Sequence, residues 1–169
     1  MDSLIDRALE GDEVSSNTWR AMDPRVKEAV RQLASSHAVT LVCEIEACES
    51  PIEQLLGLYL CHFGQAWIGG DSFILNPQQE VDTPAGRFRV DFLVAAEVLG
   101  RKVCLAVECD GHDYHEKTKA QAARDKRRDR ALKLAGFEVV HFTGTEIWAD
   151  PERCAVEVFR HLRVLAERK

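Results

Sequence analysis

The sequence lacks an apolar run of about 18 residues, and it lacks a charged-then-apolar leader, so neither a membrane span nor a signal peptide is expected. It also lacks an excess of positive charge: 22 Lys and Arg stand against 28 Asp and Glu, a formal net charge of −6. That balance argues against coating nucleic acid by bulk electrostatics, although a local basic face can still meet phosphate. The six cysteines include no C-x-x-C pair, which reads as reduced, mostly buried thiols of a cytoplasmic protein. Glycine and proline are few, at 10 and 5, and there is no internal repeat or low-complexity segment. What remains is an ordinary globular composition, 46% hydrophobic and 30% charged over 169 residues. That length suffices for one domain with a real core and is too short for two comfortable ones.

The first 22 residues are polar with scattered apolar positions and read as a weak helical lead-in. "DPRVKEAVRQLASS" is a clearer helix, with Asp23 as cap, Pro24 in the first turn and Val26, Val30 and Leu33 at helical spacing. Residues 38–48, "AVTLVCEIEAC", fit either a strand or a lead into the next helix. "SPIEQLLGLYLCHF" then carries a helix start: Ser50 caps, Pro51 takes the first helical position and Glu53 completes an S-x-x-E capping box. Ile52, Leu56, Tyr59, Leu60 and Phe63 form its apolar face.

Beyond Gly69 and Gly70 the pattern changes to strands, over 73–81, 87–96 and 102–109, which make a three-stranded meander. A helix from about His112 to Ala135 follows, ended by Gly136, with an expected apolar face of Ala120, Ala123, Ala131 and Leu134. A short strand, 137–142, and a last helix opening at Asp150-Pro151 complete the chain. Its apolar residues are Ala155, Val158, Phe159, Leu162 and Leu165. A strand–helix–strand unit beside a meander gives a parallel, right-handed crossover, hence a mixed α/β sheet with helices on both faces.

The chemistry concentrates in two strands. Asp91 interrupts an apolar strand in "RVDFLV", and Glu108 ends the next in "LAVECDG", with Asp110 two residues on and on the same face. Crowded carboxylates repel unless something positive lies among them, and Mg²⁺ with oxygen ligands resolves that conflict. The plain alternative pairs Asp91 with Arg87 or Arg89 and lets Glu108 and Asp110 merely end a strand. A zinc site on Cys109, His112 and His115 is a further alternative, although no fourth ligand is evident nearby.

Together "SPIEQLL", "RVDFLV", "VECDGHDYH" and "ARDKRRDRALKLAGFEVVHFTGTEI" resemble the PD-(D/E)XK nuclease superfamily. More closely they are similar to its small endonuclease-like branch related to very-short-patch-repair endonucleases. The resemblance covers about residues 50–165. It implies a restriction-endonuclease-like αβββαβα core over residues 49–169, with residues 1–48 as an N-terminal helical extension. It further implies a Mg²⁺-dependent endonuclease, Mn²⁺ being the other candidate ion, that hydrolyses DNA phosphodiester bonds with a metal-activated water. Asp91 and Glu108 would be the principal ligands, with the carbonyl of Cys109 as an extra one and Glu53 reaching the site directly or through water. For Glu53 the capping box is a complete alternative.

The superfamily's E-x-K places a lysine where this chain has Asp110. That lysine positions the attacking water and neutralises charge in the transition state. Counting about 100° per residue from His115, Lys119, Lys126 and Arg130 fall in one basic stripe of the following helix. His115 and Lys119 are the candidates to replace the lysine, and Lys117, Lys119, Lys126 and Arg130 the candidates to contact nucleic acid. A solvated helix face with i,i+4 pairs is the competing reading, and for Lys126, Arg127 and Arg128 the better one. A nuclease-fold module that binds nucleic acid or a protein without cleaving is the rival to the enzyme, favoured by Asp110 and by the acidic net charge. RNA remains open beside DNA, and the oligomeric state is not legible.

Overall fold

A computed structural model describes residues 20–21, 23–67, 73–111 and 119–168. They fall into two compact units divided between Cys43 and Glu44. The first is essentially one helix, α1 (Pro24–Glu44). Asp23 starts it by accepting the Arg25 amide at 2.8 Å, with Pro24 next in line, as the sequence leads one to expect. The ambiguous segment resolves as helix: α1 runs on to Glu44, and a turn at 45–47 follows.

The second unit holds α2 (Pro51–Trp67), β1 (Phe73–Thr83), β2 (Gly86–Val98) and β3 (Arg101–Asp110). After these come α3 (Lys119–Leu134), β4 (Glu138–Thr143), α4 (Gly144–Ala149) and α5 (Pro151–Glu167). The strands lie in the order β1-β2-β3-β4. β1 to β3 form the antiparallel meander, and β4 joins β3 in parallel after the α3 crossover. This is the mixed α/β sheet of a restriction-endonuclease-like core. Residues 112–118, where the sequence places the start of the α3 helix, lie outside the described residues.

The sheet is apolar on both faces because helices cover both. On one face α2 and α5 pack together: Phe73 meets Phe159 at 5.7 Å between ring centroids, and Phe92 lies against Gly57. A side chain at Gly64 would overlap the Phe73 ring, so Gly64→Ala is expected to cost about 1–3 kcal/mol, read by chemical denaturation. On the other face Leu132 of α3 joins Val81, Val90 and Ala106 in one cluster.

That contact corrects the expected apolar face of α3. Ala131 and Leu132 are buried, whereas Ala123 is exposed and Leu134 is 79% exposed. The inward side of α3 is therefore centred on Arg128, Ala131 and Leu132. An arginine on the inward side is invisible to apolar periodicity, because its partner comes from a distant strand. Gly136, with φ of +92°, ends α3, and the Phe137 amide bonds back to the Leu132 carbonyl at 3.0 Å.

One element is absent from the sequence reading. Thr143 and Glu146 form a capping box that nucleates the short α4, and Asp150 then caps α5 by accepting the Arg153 amide at 2.9 Å. In α5, Cys154, Ala155, Val158, Phe159, Leu162 and Ala166 are buried, while Leu165 is only half-buried. None of the six cysteines is in a disulfide; Cys48, Cys61 and Cys154 are buried, and Cys43 and Cys104 are exposed. No described helix is long and apolar enough to cross a membrane.

Candidate active site

The site is built where the sheet's regular ladder stops. β1 pairs with β2 at Pro77–Phe92 and again at Gln79–Val90, skipping the step between them. At that step Gln78 adopts a left-handed backbone, φ +53°, which a non-glycine residue rarely takes. The β2–β3 ladder runs from Val98–Arg101 to Phe92–Val107 and goes no further. Phe92 faces α2, whereas Val90 joins the cluster beneath α3, so the alternation of β2 breaks at Asp91. Beyond Phe92 and Val107 the two strands fork, and their freed backbone groups are met by side chains. Asp91 Oδ2 accepts the amide of Cys109 at 2.7 Å.

Asp91 is not neutralised by its neighbours in sequence. Arg87 pairs with Asp82 at 2.8 Å and Glu80 at 3.2 Å, and Arg89 makes a two-pronged pair with Glu49 at 2.8 and 2.9 Å. Burial raises the pKa of Asp91, opposed by the Cys109 amide and reinforced by Glu53 and Asp110.

Glu108 is buried, and its cation comes from the crossover helix. Arg128 of α3 reaches it with two bonds, Nη2 to Oε1 at 2.6 Å and Nη1 to Oε2 at 3.0 Å, and donates as well to the Arg89 carbonyl. One guanidinium thus spans the fork between β2 and β3. Burial still pushes Glu108 up to about 7, with Arg128 opposing the rise and Asp91 adding to it.

A folded pKa of about 7 lies above the roughly 4.3 of a free glutamate, so in the metal-free protein the folded state binds the extra proton between those values. The stability this confers is present at low pH and lost as pH rises through 7. Wild type is therefore expected to lose melting temperature relative to Glu108→Gln between about pH 5 and about pH 8, measured in chelator. A constant difference between the two curves would contradict the assignment.

Asp110, in the place of the superfamily lysine, belongs to a second pair. His141 stands beside Glu108 in the parallel register and directs Nδ1 to Asp110 at 3.3 Å and Nε2 to Asp129 at 3.4 Å. The Asp110 contact raises the His141 pKa, burial opposes it and Asp129 adds to it. The E-x-D carboxylates thus each face a basic side chain, Arg128 for Glu108 and His141 for Asp110.

Glu53 lies nearby with its oxygens committed. Oε1 accepts the Ser50 hydroxyl at 2.6 Å, and Oε2 accepts the Glu49 amide at 2.9 Å and the Gln78 side-chain amide at 2.7 Å. The Ser50 half of the capping box is present, with Ser50 Oγ accepting the Glu53 amide at 3.4 Å, while the Glu53 carboxylate takes the Glu49 amide; Gln78 ties it to the distorted step of β1. Among the described residues, no group of three or more His, Cys, Asp and Glu is arranged to hold a metal ion. Mg²⁺ keeps several waters and takes one or two carboxylates, so hard oxygen donors at Asp91 and Glu108 fit it without a third protein ligand. Burial pushes the pKa of the Cys109 thiol up, with the nearby Asp91, Glu53 and Glu108 adding to the rise.

Of the remaining candidates, Lys126 and Arg130 do not gather at the fork. Lys126 and Arg130 are exposed, and the helical period turns them about 160° away from Arg128. His115 and Lys117, together with the Lys119 side chain, lie outside the described residues, as does His112 of the zinc alternative.

A family model, REase_MTES_1575, matches residues 72–162, more than half of the chain. The chain belongs to this restriction-endonuclease-like family. The family match takes in the meander, the fork, α3, β4 and most of α5. Asp91, Glu108, Asp110, Arg128 and His141 therefore all lie within the family domain, while Glu53 precedes it. No curated protein and no solved structure matches the chain.

Three residues of the site escape sequence reasoning. Arg128 reads as part of a solvated face, since arginine at the surface is the ordinary case. Gln78 carries a faint signal in Pro77, because proline within a strand marks an edge or an irregular step. His141, in "FEVVHFT", looks like the outward residue of an alternating strand, and only the parallel register sets it beside Glu108.

Proposed function

We propose that this chain is a Mg²⁺-dependent endonuclease that hydrolyses DNA phosphodiester bonds, in the branch similar to very-short-patch-repair endonucleases. The observation that carries the proposal is the fork, which sets Asp91 and Glu108 just past the last paired step between β2 and β3 of a restriction-endonuclease-like sheet. Asp91 and Glu108 hold the ion, with the Cys109 carbonyl beside them. Glu53, buried and fixed by Ser50 and Gln78, would reach the ion directly or through water. When bound, Mg²⁺ supplies an activated water and stabilises charge on the scissile phosphate. A divalent cation between them would relieve the desolvation and mutual repulsion of the two carboxylates. Lys117, Lys119, Lys126 and Arg130 serve as contacts for the DNA backbone, Lys126 and Arg130 from the exposed side of the crossover helix, and residues 1–48 extend the nuclease domain of 49–169.

The second reading is a nuclease-fold module that binds nucleic acid without cutting it. Asp110 in the lysine position favours it, and so does the internal neutralisation of Glu108 by Arg128. Calorimetric titration with Mg²⁺ separates the two. The enzyme is expected to take up the ion at a site lost in Asp91→Asn, whereas a module without a formed site takes up none.

A further inference from the structure

Arg128 is the site residue that the carboxylate motif leaves unexplained. Its guanidinium uses both oxygens of Glu108, at 2.6 and 3.0 Å, and closes the fork by bonding the Arg89 carbonyl. Burial raises the pKa of both Asp91 and Glu108, and this one cation opposes the rise in both. The two partners differ in freedom: the Glu108 side chain is 6% exposed and the Arg128 side chain 27%. Glu108 is fixed within the sheet, while Arg128 sits on a long stem with a path to solvent.

A divalent cation coordinated by Glu108 needs the oxygens that Arg128 now holds. Two positive groups on one carboxylate also repel strongly where water is scarce. Without any cation, a buried carboxylate faces a large desolvation penalty, which explains why the chain supplies one of its own. We infer that Arg128 is a resident substitute for the divalent cation: the Arg128–Glu108 pair and ion coordination by Glu108 exclude each other, an inference that rests on the metal-dependent reading above. The arginine keeps the site assembled in the ion-free protein and is released when the ion enters. Once released, its guanidinium is the cation available to a phosphate at the same fork, where the motif carries Asp110 instead of lysine. The basic residues Lys126 and Arg130 point elsewhere and cannot take this part.

The test is calorimetric titration of the full chain with MgCl₂ and MnCl₂ at about pH 8. Wild type, Arg128→Met and Glu108→Gln are compared. Arg128→Met is expected to bind the ion about tenfold more tightly than wild type, because its competitor is gone, and Glu108→Gln to lose the site. Equal or weaker binding by folded Arg128→Met, with wild type still binding, overturns the inference and leaves the metal-dependent reading standing. No uptake by either protein overturns both. Should Arg128→Met fail to fold, side-chain ¹⁵N spectra of wild-type arginines decide. The Arg128 signals, assigned by their loss in Arg128→Lys, are expected to shift and lose their hindered rotation at saturating Mg²⁺. Signals unchanged by saturation overturn the inference.

Discussion

Asp91→Asn and Glu108→Gln are each expected to lower metal-dependent DNA cleavage by about three orders of magnitude while leaving the fold intact. Both changes keep side-chain volume and remove one negative charge. In Asp91→Asn the carboxamide oxygen can still accept the Cys109 amide, so the fork keeps its bond. In Glu108→Gln the side chain presents one acceptor and one donor to Arg128, and the partly exposed guanidinium can turn toward water. What both variants lose is an anionic ligand for the ion. Circular dichroism and melting curves verify the fold, and cleavage rates measure the loss. Full activity in both variants would remove the two residues from the chemistry. Loss in one alone would place the ion on a different pair of ligands.

Phe92→Ala is expected to cost about 3–5 kcal/mol of stability, the largest structural effect of any substitution considered. Phe92 is fully buried, closes the last pair of the β2–β3 ladder opposite Val107, and packs on Gly57 of α2. Its removal leaves a cavity between the sheet and α2 at the residue next to Asp91. Leu134→Ala is the matched control, since Leu134 is 79% exposed and its truncation is expected to change stability by no more than about 0.5 kcal/mol. Urea melts of the two variants give the comparison directly. Near-equal midpoints would mean that β2 does not carry the core as described.

Much of this architecture is legible in the chain because it is written locally. Capping at Asp23 and Ser50, the glycine stop at Gly136 and the alternation of β2 each act within a few residues. They mark helix starts, a helix end and the meander. Asp91 and Glu108 stand out for the same reason, as acids within apolar strands. What cannot be read depends on pairing between distant segments. Arg128 looks like any surface arginine until α3 is laid across the fork, and His141 becomes relevant only through a parallel register with β3. The left-handed Gln78 is set by the sheet's distortion and by its bond to Glu53, which no pattern of hydropathy encodes. The capping box at Thr143 and Glu146 is a local signal in plain view, and the short α4 follows from it.

Whether the fork cuts DNA with a metal ion is the central question. The decisive measurement is cleavage of supercoiled and single-stranded DNA by the wild-type chain, with Mg²⁺, with Mn²⁺ and with chelator. Nicked and linear products are expected with either ion, and none in chelator. No cleavage of either substrate with either ion, or cleavage that persists in chelator, would contradict a metal-dependent nuclease built on Asp91 and Glu108.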